Sequence, residues 1–174
     1  MKTFYIPTAE TEEVRVLQEV DVQKIYNSLH PYLQKLNENN KQVGLRWAKD
    51  FEGVSDLRYK EANPIGYTQN DFIDWQPYTE YVQEIAQKLD INQKGRVRLL
   101  QVNARSCYSF HADPHPYRVH IPLITNEGSF MAVWGKLWQL KLGFAYRVRV
   151  QEEHTAINTG STHRVHLVFD NCYK

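Results

Sequence analysis

Four residues in the second half of the chain are of types and spacings that could hold a metal and an acid: His111, Asp113, His154 and Arg164. Two imidazoles and one carboxylate can occupy one face of an octahedral ion and leave the other positions open, the arrangement that suits non-haem Fe(II) when it must also bind small ligands. Arg164 follows His154 by ten residues. A guanidinium stays charged and presents a planar fork, so it can grip the far carboxylate of a 2-oxo acid whose other end chelates the ion. Taken singly, each signal is weak, because a lone strand histidine is more often a hydrogen-bonded structural residue than a ligand. The joint pattern carries more weight, since six of the seven histidines lie between His111 and His166. His115, between two prolines, and His163, on the opposite strand parity from Arg164, are not expected as ligands. Nor is His30, which precedes Pro31 at an expected helix break.

The elements that must position these groups change character near residue 95. Val22, Ile25, Leu29, Leu33 and Leu36 recur at helical spacing over about 21–38, where Pro31 should kink or split the helix. A second helix is expected over about 75–89, with Tyr78, Val82, Ile85 and Leu89 on one stripe. Residues 44–67 carry turn signals at Glu52-Gly53, Asn63-Pro64 and Gly66 and read as irregular. Beyond Gly95, strand-like runs are expected over 96–104, 117–125, 129–134, 137–142, 144–150 and 164–169, punctuated by Asn126-Glu127-Gly128, Gly135, Gly143 and Asn158-Thr159-Gly160. That rhythm reads as an antiparallel barrel or two-sheet roll.

Strand alternation then sorts the faces. In the run from Tyr117, Arg118 and His120 share one face and Val119, Ile121 and Leu123 the other; in the last strand Arg164 and His166 stand opposite Val165, Leu167 and Phe169. The apolar faces need a cover, which the N-terminal helices can supply, and the Arg-x-His faces would line the interior. A buried guanidinium is costly without an anion to meet it, so an anionic ligand is expected there.

Composition narrows the classes. The 174 residues, 42% of them hydrophobic and with a net charge of +1, suit one domain: a helical and irregular part over 1–95 and a β core over 96–170. No basic run points to nucleic acid, no apolar stretch is long enough for a membrane span, and the N-terminus lacks the apolar region of a secretory signal. Cys107 and Cys172 are the only cysteines, too few for a disulfide framework, which fits the cytoplasm and leaves any metal to histidine and carboxylate.

His111-Ala112-Asp113, the Arg118-to-Leu123 run, Gly143, the His154-to-Gly160 run and the Arg164-to-Asp170 run resemble, in that order, the aspartyl/asparaginyl β-hydroxylase family of Fe(II)- and 2-oxoglutarate-dependent oxygenases. The resemblance spans about residues 96–170. It implies a mainly β double-stranded β-helix, a cupin-like jelly roll, with helices packed on one sheet. It further implies His111, Asp113 and His154 as catalytic Fe(II) ligands and Arg164 on the distal carboxylate of 2-oxoglutarate. His120, helped by Arg118, would sit near the chelating carboxylate. The reaction implied is hydroxylation of an aspartyl/asparaginyl-type or other amino-acid substrate with O2, coupled to decarboxylation of 2-oxoglutarate to succinate, with ascorbate as a reductant. Asn103 to Cys107 departs from the family, which often has a Pro-Gly turn there. Arg105, Tyr108 and Trp134 are candidates to contact substrate; Tyr117 and Trp138 stand at the entrance or in the core. The competing readings are a cupin-like protein that binds a metal or 2-oxo acid without turnover, and a metal-dependent isomerase or ring-cleaving dioxygenase on a similar barrel; a plain metal-binding cupin and the latter enzymes have no need of the Arg164 and His120 clamp.

Overall fold

The computed structural model describes residues 4–5, 13–48, 72–74, 80–89, 94–113 and 116–171. In chain order the elements are β1 (Phe4–Tyr5), β2 (Val14–Glu19), α1 (Val22–Leu33), β3 (Gln42–Ala48), β4 (Phe72–Asp74), α2 (Glu80–Lys88), β5 (Lys94–Val102), β6 (Ser106–Cys107), β7 (Tyr117–Ile124), β8 (Ser129–Val133), β9 (Lys136–Trp138), β10 (Phe144–Arg149), β11 (His154–Asn158) and β12 (Arg164–Asn171). They form two sheets. The larger has the order β2-β10-β7-β12-β5-β3-β4 and the smaller β1-β9-β8-β11-β6. Every pairing is antiparallel except β1 with β9. This is the expected double-stranded β-helix.

Two apolar clusters explain why the sheets stay where they are. The outer face of the large sheet, with Val97, Leu99, Val119, Ile121, Leu123, Val165, Leu167 and Phe169, packs against Ile25, Leu29 and Leu33 of α1 and Val82, Ile85 and Ala86 of α2. The helices thus cover the face that strand alternation left apolar. Inside the roll a second cluster joins Val14, Val102, Met131, Val133, Trp138, Leu140, Tyr146, Val148, Val150 and Ala156. The same strands that are apolar outside therefore present both apolar and charged residues inside.

α1 starts at an N-cap, Asp21, whose carboxylate accepts from the Lys24 amide at 2.9 Å. It ends at Leu33, short of the expected 38, and Pro31 does not split it. Proline here sits in the last turn, where loss of one amide removes a single bond and the chain is about to leave the helix. Leu36 still packs on the core from a tail held by the Lys35 amide to Tyr32 O and the Leu36 amide to Leu33 O. α2 keeps Val82 and Ile85 buried and Leu89 against the core, while Tyr78 lies outside the described residues.

The N-terminal part is more strand-rich than its periodicity suggests. β2 pairs with β10 at one side of the large sheet, and β3 pairs with β5 at the other. Residues 44–48, expected as irregular, belong to β3, and the remaining turn signals up to 67 lie outside the described residues. The reason is local. Val43, Leu45 and Trp47 are buried on one parity, a period-two signal too short to stand against the turn residues that follow. In the second half, β9 is shorter than expected, and β6 and β11 add two strands to the smaller sheet.

Candidate metal centre and anion pocket

β11 begins at His154, and the extended chain leading away from β6 reaches it through reciprocal backbone bonds between His111 and His154, 3.1 and 2.9 Å. A hydrogen-bonded antiparallel pair sets both side chains on the same face, so the two imidazoles meet with centroids 4.4 Å apart. Asp113 is tied by its amide to Val150 O at 2.7 Å, which brings its Oδ2 to 3.4 Å from His154 Nε2. One donor atom from each of His111, Asp113 and His154 lies within 4.8 Å of the others, a group that can hold a metal ion.

The surroundings of these residues fit a cation. His111 Nδ1 lies 2.9 Å from Ser109 O and His154 Nδ1 lies 3.0 Å from Glu152 O. A carbonyl only accepts, so each Nδ1 carries the hydrogen and each Nε2 is left with its lone pair, the tautomer a metal requires. Burial pushes the Asp113 carboxyl up, but the neighbouring His154 ring and the Arg118 guanidinium outweigh it and hold the group below the ordinary aspartate range. Asp113 and His154 are buried while His111 is exposed, so the group opens to solvent on one side.

Behind it lies a polar interior built from the inward faces of β5, β7 and β12. Asp170 accepts from Arg96 Nε at 2.7 Å and is ion-paired with Arg118 at 2.8 Å, with Arg98 at 3.6 Å. Arg118 also reaches Asp113 at 2.7 Å. Burial raises the Asp170 carboxyl, yet the charges of Arg118, Arg96 and Arg98 hold it far below the usual range. Arg118, expected beside a ligand carboxylate, is thus engaged with two protein carboxylates, and its geometry is that of a strut for Asp113. Asp170 and Arg96 had no role assigned from sequence. Their signal was parity: Asp170 shares a face with Arg164 and His166, and Arg96 with Arg98, on neighbouring strands.

Arg164 is 1% exposed and, among the described residues, meets no carboxylate. Its Nη1 lies 3.0 and 3.1 Å from the two ring nitrogens of His166, its Nη2 lies 3.7 Å from Met131 Sδ, and its Nε has no partner. Burial pulls its pKa down to about 10, so it stays a cation at neutral pH. His166 Nδ1 lies 3.4 Å from Nδ1 of His120, whose Nε2 is buried without a partner. Burial first, and then the charges of Arg164, Arg118 and Arg98, pull the His120 ring well below the usual histidine range. The turn before Arg164 is pinned by Asn158, buried, whose Nδ2 donates to Asn103 O at 3.0 Å and Thr162 O at 2.8 Å.

The remaining candidates separate. Tyr108 is half-buried, with its hydroxyl on Gln101 O at 2.5 Å and its ring packed against the apolar cluster inside the roll. Trp138 is a core residue against Tyr5, centroids 5.2 Å apart. Tyr117 lies under the Arg147 guanidinium, 4.4 Å away. Arg105 is exposed in the Ala104-Arg105 turn at φ 51, where the family often has Pro-Gly. Trp134 is 57% exposed at φ 49, followed by Gly135 at φ 74, in the two-residue turn between β8 and β9; its amide bonds Glu153 O beside His154. Phe110, next to His111, is 56% exposed. His30 and His163 are exposed and outside the metal-ligating group, and His115 lies outside the described residues.

A double-stranded β-helix with two histidines and an aspartate at one mouth and a buried cation within defines a class of metal-dependent barrel. The profile of the aspartyl/asparaginyl beta-hydroxylase family matches residues 66–172, and the chain belongs to that family of 2-oxoglutarate-dependent oxygenases. Among solved structures it is similar to a viral collagen prolyl hydroxylase from Paramecium bursaria Chlorella virus-1 in complex with 2-oxoglutarate, at 7% identity and TM-score 0.53, covering 92% of this chain and 98% of that one. It is also similar to AviO1 from Streptomyces viridochromogenes, at 12% identity and TM-score 0.53, covering 92% and 90%. The match to a 2OG-Fe(II) oxygenase family oxidoreductase from Burkholderia pseudomallei, at 17% identity and TM-score 0.40, covers 44% of this chain and 42% of that one. The likenesses to the viral hydroxylase and to AviO1 are of fold. A search of curated protein sequences found no match. No described helix is long and apolar enough to cross a membrane.

Proposed function

We propose that this protein is an Fe(II)- and 2-oxoglutarate-dependent dioxygenase that hydroxylates an aspartyl/asparaginyl-type or other amino-acid substrate. The observation that carries the reading is Arg164: a fully buried guanidinium that meets no carboxylate among the described residues, in the same roll as a His-Asp-His group. Bound Fe(II), with O2 and 2-oxoglutarate, supplies the oxidising power, yielding succinate and carbon dioxide while one oxygen atom goes to the substrate, with ascorbate keeping the metal reduced. The protein's work is orientation and exclusion. His111, Asp113 and His154 hold the metal by three positions and leave the rest for ligands. Arg118 holds Asp113 in place from behind, and Arg164 grips the distal carboxylate of the co-substrate. His120 Nε2 faces the same ligand near its chelating end. Trp134, exposed beside His154, and Arg105, exposed in the turn before β6, meet the substrate, and Tyr108 contributes from the interior cluster it packs on. The chain works as one domain in the cytoplasm, with no nucleic-acid or membrane partner.

The test is direct. Protein incubated with Fe(II), ascorbate, oxygen and 2-oxoglutarate should produce succinate, slowly even without substrate, and amino-acid pools or lysate should gain a species heavier by one oxygen. Calorimetry under anaerobic conditions should show 2-oxoglutarate binding to the Fe(II)-loaded protein. Absence of binding rejects the co-substrate; binding without succinate in any substrate pool favours the non-catalytic binder.

A further inference from the structure

Asp170 has no part in the function proposed above, yet it is buried and faces three guanidiniums. Strand pairing arranges this. Arg118 of β7 stands directly across from Asp170 of β12. On the other side of β12 the register with β5 shifts between Phe169 and Asn171, so Asp170 lies in a bulge, a break that re-aims a side chain. Its Oδ2 accepts from Arg96 Nε at 2.7 Å, while its Oδ1 lies 2.8 Å from Arg118 Nε and 3.6 Å from Arg98 Nη2.

Arg118 is the link to the metal-ligating group. Its Nε faces Asp170, and its Nη1 lies 2.7 Å from Asp113 Oδ2, the same oxygen that is 3.4 Å from His154 Nε2. A guanidinium in that position has two opposed effects. It fixes a carboxylate that would otherwise rotate, and it sets a positive charge beside an oxygen that a cation must share. The second effect grows with the charge around it. Arg96, Arg98 and Arg118 carry three positive charges against the two negative ones of Asp113 and Asp170, and none of the five residues is more than 9% exposed, so water and salt screen them little. Without Asp170 the count would be three to one. Arg98 is the surplus member: its Nη1 donates to Gln42 Oε1 at 3.2 Å, its Nε has no partner, and the carboxylate it approaches is already held by Arg96 and Arg118. Burial pulls its pKa down to about 10, so it remains a cation at neutral pH.

We infer that Asp170 is a positioning residue for the metal centre: acting through Arg118, it lets a guanidinium hold Asp113 without driving off the cation, and so sets the affinity for a divalent ion from outside the ligand set. This rests on the reading proposed above, in which His111, Asp113 and His154 hold a metal.

The experiment is calorimetric titration of metal-free protein with Mn(II), which is stable in air where Fe(II) is oxidised, with no 2-oxoglutarate present. A unit charge roughly 10 Å from a divalent ion changes its affinity on the order of tenfold in a medium between protein and water. Asp170→Asn should weaken Mn(II) binding by about that factor, and Arg98→Met, which removes a cation while leaving Arg96 and Arg118 on Asp170, should strengthen it by a similar one. Loss of packing cannot make binding tighter, so the opposite signs separate charge from structure. Arg98→Met added to Asp170→Asn should bring the affinity back near that of the wild type. Equal Mn(II) affinity in wild type and folded Asp170→Asn overturns the inference, as does the absence of a gain in Arg98→Met, which decides alone if Asp170→Asn does not fold. A wild type that binds neither Mn(II) nor, under anaerobic conditions, Fe(II) overturns the metal centre itself and this inference with it.

Discussion

At the scale of single residues, Arg118 and Arg164 show how context divides identical side chains. Both stand in Arg-x-His pairs on inward faces, but Arg118 is spanned by Asp113 and Asp170 whereas Arg164, among the described residues, lies against His166 and Met131 and meets no carboxylate. Removing Arg164 should therefore act on the ligand. Loss of one partner from a buried charge pair costs about 3–5 kcal/mol, or roughly a hundred- to several-thousandfold in affinity, so Arg164→Ala should raise the 2-oxoglutarate concentration needed by that factor, measured by calorimetry or by succinate formation. Arg164→Lys should restore part of it, since charge returns without the fork. His154→Ala should abolish Fe(II) binding and turnover while circular dichroism stays that of the wild type. Full activity in that variant would remove the metal assignment.

At the scale of elements, the turn between β8 and β9 is unusual. Val133 pairs with Lys136, so Trp134 and Gly135 form the two-residue loop, both with positive φ as a type I′ turn requires. Glycine and asparagine accept that backbone; tryptophan does so at a cost on the order of 1 kcal/mol. Trp134→Asn should raise the urea midpoint accordingly and, if Trp134 meets the substrate, lower turnover while succinate formation without substrate is unaffected. A second junction binds two loops together. A Cβ at Gly160 would stand 2.1 Å from Asn126 Oδ1, the atom that accepts from the Gly128 amide. Gly160→Ala should cost about 1–3 kcal/mol in stability, as overpacking does, and the urea midpoint would report it.

At the scale of the whole molecule, burying two neutral histidines couples the fold to pH. His120 and His166 have folded pKa values well below 6.5, lowered first by burial and then by Arg164. The unfolded chain binds protons that the folded one refuses, so this stability is fully present above pH 6.5 and is lost as pH falls below it. Each ring contributes up to about 1.4 kcal/mol per pH unit in that range. Urea unfolding followed from pH 7 to pH 5 should show a steady loss, and His166→Phe should flatten the slope by about one proton's worth. A flat profile in the wild type would mean that the two rings are already charged in the fold.

Much of this was legible in the chain itself. Alternation along β7 and β12 told which residues are inside and which meet the helices, because a pleated strand has a period of two and both faces are buried. The spacing of His111, Asp113 and His154 was likewise local enough to propose a metal group. What only the tertiary structure decided were the pairings across strands. Asp170 claims Arg118 because β12 and β7 run in register, and His166 meets His120 by the same accident of neighbourhood. β2 and β3 were hidden because their period-two runs are short and gain stability only when the larger sheet is there to pair with them. Sequence determined the inward faces of β7 and β12. Which residues then meet inside depended on strand order and register, since hydrogen bonding between distant segments sets these and no single segment contains them.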